Sequence, residues 1–316
     1  MATETSSPDF TPDNPLRIGT RGSPLALAQA YETRARLMAA HGLPEEAFRI
    51  EVIQTTGDAV QDRPLSEIGG KGLFTKELEV ALFDRRIDIA VHSMKDVATV
   101  LPDGLAMIAC LPREDVRDAF LSPHVARFDD LPEGAVIGTS SLRRKAQALA
   151  RRPDLRVVEF RGNVQTRMRK LEEGVALATF LACAGLKRLN APVEAAPIPT
   201  DVMLPAVAQG AIGIEARAGD DTVHALIAPL DDRETSLRLE AERAFLRALD
   251  GSCRTPLAGL AELVGGRIVF RGEILRPDGS VRHATRREGT GSDAAALGLD
   301  AAEELRALGG DGFFEP

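Results

Sequence analysis

Two kinds of segment alternate along most of this chain, and that alternation constrains its fold more than any other feature. Short apolar runs with the length of buried β-strands are followed by longer segments whose apolar residues recur with the period of an α-helix. A helix between two strands returns the chain to the same end of the sheet, so the strands run parallel. The sequence therefore predicts an α/β fold with mixed, mainly parallel sheets.

The predicted elements before Glu234 follow this pattern. The predicted strands are Leu16–Thr20, Phe48–Thr55, Ile87–His92, Ala135–Thr139, Arg156–Phe160 and Val175–Leu181. The predicted helices are Pro24–His41, Phe74–Asp84, Ser141–Arg152 and Val164–Glu173, with joints at Leu111–Pro112 and Asn190–Pro199. Beyond Glu234 the pattern changes, which predicts a smaller C-terminal α+β domain. Its predicted elements are a helix at Thr235–Asp250, alternating segments around Arg267–Glu273 and Val281–Arg287, and a terminal helix.

Composition indicates several domains in a reducing compartment. The 316 residues exceed the length over which one hydrophobic core keeps growing. Residues 1–15 are polar and lack the basic start and apolar centre of a signal peptide, so we expect a disordered tail. No apolar run approaches the ~20 residues of a membrane span. Cys110, Cys183 and Cys253 lie far apart without metal-ligand spacing, which predicts free thiols in the cytoplasm and no metal site.

The distribution of charge indicates a small anionic ligand. The formal net charge is −8, which argues against a general nucleic-acid binder, and the absence of Trp with a single Tyr leaves few rings for base stacking. Between Arg143 and Lys170, however, ten Lys or Arg residues stand against only Asp154 and Glu159. This local excess of cations suits a small polyanion.

Three strand-to-helix turns carry arginine together with Ser, Thr or Asn. They are Gly19–Pro24, where Ser23 can cap a helix that begins with Pro24, then Gly138–Arg144, and Arg161–Arg167. Ordinary capping beside a solvated arginine would explain any one of them. Helix starts also bind anions, and three of them at the carboxyl ends of parallel strands favour a ligand with several carboxylates. No nucleotide-binding GxxxxGK[ST] motif is present.

A buried-looking strand, Ile87–His92, delivers Ser93, Lys95 and Asp96 to its end. A carboxylate among cations would stay ionised and could stabilise a cationic intermediate or transfer a proton. The alternative is an ordinary surface pair between Lys95 and Asp96, which would contribute little. His92 is expected to be a core or edge histidine with its hydrogen bonds satisfied, because no second histidine lies at a metal-ligand spacing from it.

Cys253 follows the long C-terminal helix in a turn beside Arg254. A thiol on an exposed loop near a cation has a larger thiolate fraction and can attack electrophiles. Local spacing alone favours an inert, buried cysteine, because a free cysteine usually behaves as a small hydrophobic residue. Cys110 and Cys183 lie within apolar runs, where that alternative is stronger.

Ten segments, in order from about Arg17 to Gly259, resemble the hydroxymethylbilane synthase (porphobilinogen deaminase) family. They are RIGTRGSPLALAQA, TTGD, GGKGLFTKELE, DIAVHSMKDV, PREDVRDAFLS, IGTSSLRRKAQ, RGNVQTRMRKL, ACAGLKRL, PAVAQGAIGIE and AERAFLRALDGSCRTPLAG. The resemblance implies two lobes similar to type II periplasmic binding proteins and a third, smaller domain. The implied domains are residues 16–110 with 211–230, residues 111–210, and residues 234–316.

The resemblance also implies a chemistry. A dipyrromethane cofactor would be held by Cys253 through a thioether, and four porphobilinogen molecules would be added to it with loss of ammonia. Water would then release hydroxymethylbilane, a step of tetrapyrrole (porphyrin and heme) biosynthesis. Asp96 would be the catalytic carboxylate that assists deamination and stabilises the azafulvene-like cation. The residues implied in binding cofactor or substrate are Arg21, Ser23, Lys71 in a mobile lid, Ser93, Lys95, Thr139, Ser141, Arg143, Arg144, Arg161, Gly162, Arg167, Arg188 and Gln209.

Three positions depart from the family pattern. Ala98 stands where proline is common, Ala208 where glycine often precedes Gln-Gly, and Leu177 where an aspartate often occurs. None of them removes a residue implied in catalysis or cofactor attachment. Leu177 removes whatever hydrogen bond that aspartate would make, and Ala98 leaves the backbone after Asp96 less constrained.

Two other functions fit parts of the sequence. A non-catalytic, two-lobed carboxylate-binding protein could use the same three helix starts, but it would need neither a cofactor at Cys253 nor a carboxylate at Asp96. An RNA-binding patch at Arg143–Lys170 would be opposed by the acidic net charge and scarce aromatic residues. We expect a cytoplasmic monomer that acts on a small molecule, with no nucleic-acid or membrane partner.

Overall fold

The computed structural model describes residues 10–59, 72–251 and 255–315, so that Lys71 and Cys253 lie outside the described residues. The strands, in chain order, are β1 Leu16–Arg21, β2 Phe48–Ile53, β3 Ile89–Ser93, β4 Leu105–Cys110, β5 Asp118–Leu121, β6 Val136–Gly138, β7 Arg156–Val158, β8 Ala178–Ala182, β9 Ala196–Pro197, β10 Ile212–Arg217, β11 Leu257–Val264, β12 Arg267–Leu275 and β13 Arg282–Gly289. The helices are α1 Pro24–His41, α2 Thr56–Ala59, α3 Lys76–Phe83, α4 Leu142–Arg151, α5 Val164–Glu172, α6 Cys183–Arg188, α7 Asp221–Ile227, α8 Arg233–Ala248 and α9 Ala294–Gly309.

The chain divides into two compact units. Described residues up to Arg113, together with Ala211–Ser236, form the first unit, whose sheet has the order β2-β1-β3-β10-β4. Strand β1 is parallel to β2 and β3, whereas β10 is antiparallel to both β3 and β4. Four strands therefore share one direction, with β10 alone opposing them.

The second unit contains Glu114–Gly210 and the described residues from Leu237 onward, and it carries two sheets. The first has the order β7-β6-β8-β5-β9, and here β5 alone opposes four parallel strands. The second is the antiparallel sheet β11-β12-β13, against which α9 packs. Two α/β lobes with mixed, mainly parallel sheets and a smaller C-terminal α+β part confirm the predicted fold class. The predicted division of residues 111–316 into two domains stays a prediction.

Apolar side chains fill both faces of each lobe's sheet. In the first unit Leu16, Ile18 and Ile214 belong to one buried cluster, while Leu78 and Ile87 belong to another. The second lobe is arranged in the same way, with Phe120, Phe128 and Phe180 on one side and Phe160 and Leu181 on the other. Because both faces are covered, only the strand ends and the loops after them remain for polar chemistry.

Five of the strands were not predicted from the sequence. Two of them, β5 and β10, are the opposing strands of the two lobe sheets, and β4 and β9 are their edge partners. The short β9 contains a proline and lies inside the predicted joint at Asn190–Pro199, and β5 begins with a charged residue. Their pairing partners are distant in sequence, so the local period of apolar residues carries little signal for them. The fifth, β11, begins the C-terminal sheet.

The described residues show neither a membrane span nor a metal cluster. None of their helices combines the length and the apolar character that crossing a bilayer requires. Nowhere among them do three or more His, Cys, Asp or Glu side chains come together as a group that could hold a metal ion.

Candidate active site

The first predicted anion turn lies at the end of β1. Ser23 caps α1 as predicted, since its side-chain oxygen accepts a hydrogen bond from the Ala26 amide at 3.3 Å, and Pro24 occupies the first helical position. Arg21, the last residue of β1, extends to this same edge of the sheet. The turn therefore holds both a capped helix start and a guanidinium.

Asp96 follows the neighbouring strand β3 in a single 3₁₀ turn, Met94–Asp96. The backbone amide of Met94 donates to the carbonyl of Ala211, which anchors the turn to the chain just before β10. Asp96 Oδ2 lies 3.5 Å from Nη1 of Arg21, and the guanidinium of Arg21 lies over the ring of Phe74, 4.1 Å from its centroid. Two motifs that are remote in sequence thus meet, and the described ion-pair partner of Asp96 is Arg21.

The other residues of this motif have different surroundings. The hydroxyl of Ser93 lies 2.8 Å from Nε2 of Gln29, which donates to it, and 3.1 Å from Oε1 of Gln29, to which it can donate. Lys95 is exposed. His92 is buried and its Nε2 lies 2.9 Å from Oε2 of Glu215, as expected for a core histidine with a polar partner. Ser93, Lys95 and Asp96 therefore share one strand end, whereas His92 faces the interior.

The second predicted anion turn opens α4 in the second unit. Ser141 caps this helix through a hydrogen bond from the Arg144 amide at 3.4 Å, and the hydroxyl of Thr139 accepts from the Ser141 amide at 3.2 Å. Thr139 and Ser141 thus organise the local backbone. The two arginines that follow, Arg143 and Arg144, are buried.

Arg143 and Arg144 both pair with Asp118, the first residue of β5. Nη1 of Arg143 donates to Asp118 Oδ2 at 2.7 Å, while Nε and Nη2 of Arg144 donate to Oδ1 at 3.0 and 2.7 Å. Asp118 is fully buried. Burial alone would raise the pKa of Asp118, but the charges and hydrogen bonds of Arg143 and Arg144 outweigh it and hold that pKa far below its usual range.

Gln209 joins the same carboxylate. Its Nε2 donates to Asp118 Oδ1 at 3.1 Å and to the carbonyl of Val116 at 2.8 Å. Arg188 is held at the next residue along the chain, since its Nη1 donates to the carbonyl of Gly210 at 3.2 Å. We call Asp118, Arg143, Arg144 and Gln209 the Asp118 cluster.

The third predicted anion turn opens α5. Asn163 caps this helix by accepting from the Thr166 amide at 2.9 Å. Gly162 has a φ of +117°, and a Cβ there would lie 2.5 Å from Cγ2 of Thr166, so the turn requires glycine. Its carbonyl accepts from Nε of Arg167 at 3.0 Å. The turn therefore fixes Arg167 close to Arg161.

Arg144, Arg161 and Arg167 form a group of cations that we call the arginine cluster. Burial, together with the positive charges of Arg144 and Arg161, lowers the pKa of Arg167 to about 10. Nη1 of Arg161 is buried, and within the described part of the chain it has no hydrogen-bond acceptor. Neighbouring cations and a buried donor without a described acceptor are features typical of a site that binds an anionic ligand.

The two cysteines within the described ranges have different environments. Cys110 is buried, and Cys183 is half-buried. Burial and the nearby carboxylate of Asp115 raise the pKa of the Cys183 thiol to about 11. A thiol with so high a pKa is a poor nucleophile at neutral pH.

The sequence did not predict Asp118 as a member of the site. Its local sign is a charged residue directly before the apolar run Ala119–Leu121, and this sign alone does not distinguish a buried ion pair from a solvated strand end. Two departures from the family pattern have the following surroundings. Ala208, one of the departures from the family pattern, has a φ of +61° and is buried. Leu177, another departure, packs on the core and its carbonyl accepts from the Ser122 hydroxyl at 2.7 Å.

Comparison with solved structures finds low-identity similarity to binding proteins. A periplasmic substrate-binding protein of an ABC transporter from Coxiella burnetii has a TM-score of 0.40 and 13% identity, covering 68% of this chain and 91% of its own. A methionine-binding protein has a TM-score of 0.41 and 12% identity, covering 72% and 93%.

Comparison of sequences identifies the family. The porphobilinogen deaminase of Paracoccus denitrificans is 63% identical over 312 residues, covering 98% of this chain and 99% of that protein. The porphobilinogen deaminase of Nitrobacter winogradskyi is 57% identical over 298 residues, covering 94% of each. The model of the porphobilinogen deaminase dipyromethane cofactor binding domain matches residues 16–225, and that of the C-terminal domain matches residues 236–307. With these matches along nearly its whole length, the chain belongs to the porphobilinogen deaminase family, transferases that use a dipyrromethane cofactor.

Proposed function

We propose that this chain is a hydroxymethylbilane synthase that couples four porphobilinogen molecules in succession, with loss of ammonia, onto a dipyrromethane cofactor attached to Cys253. Hydrolysis then releases hydroxymethylbilane. The arginine cluster is the observation that carries this proposal. Burial and then the positive charges of Arg144 and Arg161 lower the pKa of Arg167 to about 10, so bound carboxylates would relieve an unfavourable charge distribution.

The described residues fit the cofactor and its substrate as polyanions. The unpartnered buried Nη1 of Arg161 can donate to a ligand carboxylate without losing an existing hydrogen bond. Arg167, fixed by the carbonyl of Gly162, can bind a second carboxylate. When bound, the dipyrromethane supplies the acceptor end onto which the pyrrole chain is built. Cys253 and Lys71 enter the proposal through the family motif alone.

Asp96 is the proposed catalytic carboxylate. When the C–N bond of porphobilinogen breaks, ammonia leaves and positive charge develops on the pyrrole. A carboxylate held in a fixed direction stabilises that charge. Arg21 supports this assignment, because it orients the carboxylate from one side while 30% of the Asp96 side chain stays exposed. Ser93 and Lys95, at the same strand end, are proposed to contact the cofactor.

The remaining proposed binding residues act at helix starts or through the Asp118 cluster. Thr139 and Ser141 order the start of α4, Ser23 caps α1, and Arg188 is held at Gly210.

We also propose three domains, residues 16–110 with 211–230, 111–210 and 234–316. The protein is proposed to be a cytoplasmic monomer without nucleic-acid or membrane partners. The net charge of −8 supports the exclusion of nucleic acid.

Two measurements on the purified protein test the function. Intact-mass analysis should show a mass above that of the sequence by one dipyrromethane, and incubation with porphobilinogen should release ammonia and hydroxymethylbilane. Protein of unmodified mass that binds porphobilinogen without releasing ammonia would instead support the two-lobed carboxylate-binding protein. Protein of unmodified mass that does neither would contradict both functions.

A further inference from the structure

One buried carboxylate organises three of the side chains that family resemblance nominates as ligand-binding. Asp118 accepts four hydrogen bonds, one on Oδ2 from Arg143 and three on Oδ1 from Arg144 and Gln209. Asp118 itself is not among the residues that the resemblance implies in binding. Asp118 begins β5, the opposing strand of the sheet, and its carboxylate binds two arginines of α4 and Gln209 in the segment before β10.

Arg143 and Arg144 also donate to backbone carbonyls within the protein. Nη1 of Arg143 also donates to the carbonyl of Leu204 at 2.9 Å, and Nη1 of Arg144 donates to that of Phe180 at 2.8 Å. Such charge-assisted hydrogen bonds in a buried setting leave the guanidinium groups little freedom to turn. Buried Nη1 of Arg161 and buried Nε of Arg143 both lack an acceptor among the described residues, but only Arg143 and Arg144 are held by hydrogen bonds to Asp118. The cations of the site therefore divide into a fixed pair on Asp118 and a set open to a ligand.

The charge of Asp118 also limits the repulsion within the arginine cluster. Arg143 and Arg144 bring two positive charges into a buried region, and Asp118 cancels one of them. Arg144 nevertheless acts electrostatically on Arg167, so the two clusters share this residue. Without the carboxylate, Arg144 would lose its fixed position, and the field at Arg167 and Arg161 would change with it.

We propose that Asp118 is a positioning residue of the cofactor site, which fixes Arg143, Arg144 and Gln209 so that the arginine cluster keeps the spacing and net charge required to hold the dipyrromethane carboxylates. This inference rests on the proposed function. It concerns how the chain retains its cofactor, and Asp118 itself contacts no ligand in this account.

The first unit provides a matched control. Asp88 is also a buried aspartate that pairs with two arginines, Arg17 at 2.7 Å and Arg217 at 3.5 Å. It directly precedes β3, whereas Asp96 follows that strand, so Asp88 lies at the opposite end from the proposed catalytic carboxylate. Asp88→Asn removes the same charge from another buried carboxylate that pairs with two arginines, away from the site. A purely structural role of buried aspartates predicts the same result at both positions.

The experiment compares Asp118→Asn, Asp118→Glu and Asp88→Asn with the wild type. The readouts are the fraction of protein carrying the covalent adduct by intact mass, the KM for porphobilinogen of the loaded fraction, and thermal unfolding. We expect Asp118→Asn either to lower the fraction of protein that carries the cofactor or to raise the KM for porphobilinogen, by roughly tenfold in each case. Losing a group that orients a ligand-binding side chain typically costs about 10- to 100-fold in affinity or activity, as for the partners of metal ligands. Asp118→Glu should recover part of this loss, and Asp88→Asn should lose stability while keeping wild-type loading and KM.

Several outcomes would overturn the proposal. The first is a folded Asp118→Asn variant with the same cofactor loading and KM as the wild type. The second is that Asp118→Asn and Asp88→Asn lose the same amount of stability and the same fraction of cofactor. If Asp118→Asn does not accumulate as folded protein, the double variant Asp118→Asn, Arg143→Met is measured instead, because it removes one positive charge together with the negative charge of Asp118. Wild-type loading in that double variant would also contradict the role. An unmodified mass of the wild type would instead contradict the proposed function.

Discussion

Arg21 and Asp96 lie 3.5 Å apart at the ends of two neighbouring parallel strands, β1 and β3. The guanidinium is held in turn against the ring of Phe74, so it is fixed on one side by an aromatic face and on the other by the carboxylate. Asp96 keeps part of its surface exposed. A carboxylate that is oriented yet accessible is suited to stabilise a cationic ligand.

Asp96→Asn should preserve the fold and the bound cofactor but reduce turnover. The amide keeps the shape of the side chain and removes the charge that would stabilise the cation formed as ammonia leaves. We expect kcat to fall by ~10²–10³-fold, as for other groups that stabilise transition-state charge. Ammonia release measures kcat, and intact mass shows cofactor retention. Asp96→Glu should keep more activity than Asp96→Asn; a cofactor-loaded Asp96→Asn enzyme with near wild-type turnover would refute the role.

Arg161→Ala and Arg144→Ala should both impair cofactor assembly or chain extension, but with different effects on stability. Arg161 has a buried donor without a described acceptor, so its loss should cost less than about 1 kcal/mol of unfolding free energy. Arg144 pairs with buried Asp118, so its loss should cost about 3 kcal/mol. Urea unfolding and intact mass separate the two effects. Normal turnover in both variants would contradict a ligand with several carboxylates.

Ala208→Gly should leave the protein as stable as the wild type or more stable. Ala208 has a left-handed backbone, with φ +61°, at a position where the family often has glycine. Relief of the Cβ strain, ~1–2 kcal/mol, exceeds the ~0.5–1 kcal/mol entropic cost of glycine. Denaturant unfolding should therefore show a gain of about 0.5 kcal/mol. A loss of more than about 1 kcal/mol would show that the buried methyl group contributes more than the strain costs.

The nearby Gly210 supplies the opposite control. Its φ is +89°, and a Cβ there would lie 2.6 Å from the carbonyl oxygen of Glu114. Gly210→Ala should therefore destabilise the protein by about 2 kcal/mol or more, because the contact is with backbone that cannot move aside. The same unfolding measurement tests both variants.

Local features of the sequence predicted more of the site than non-local ones. The cap at Ser23 follows from short-range chemistry, and α1 has the predicted bounds, whereas Ser141, predicted as the first residue of a helix, is the cap that precedes α4. The commitment of Arg143 and Arg144 to Asp118 depends on pairing between β5 and β8, which no local pattern encodes. For the same reason the sequence indicated that cations gather in this region but not which of them remain open to a ligand.

Cys253 is predicted to carry the cofactor, and the surroundings of the two described cysteines make each of them a poorer nucleophile for its attachment. Cys110 is buried, and the pKa of Cys183, about 11, leaves a thiolate fraction of only ~10⁻⁴ at pH 7. The carbon electrophile formed when porphobilinogen loses ammonia matches a thiolate, and the resulting thioether resists water through repeated turnover. Peptide mapping of active enzyme should find an adduct of dipyrromethane mass on the peptide that contains Cys253. Cys253→Ser should lose adduct and activity together, whereas Cys110→Ser and Cys183→Ser should retain both. An unmodified Cys253 in freshly purified, active enzyme would overturn the mechanism.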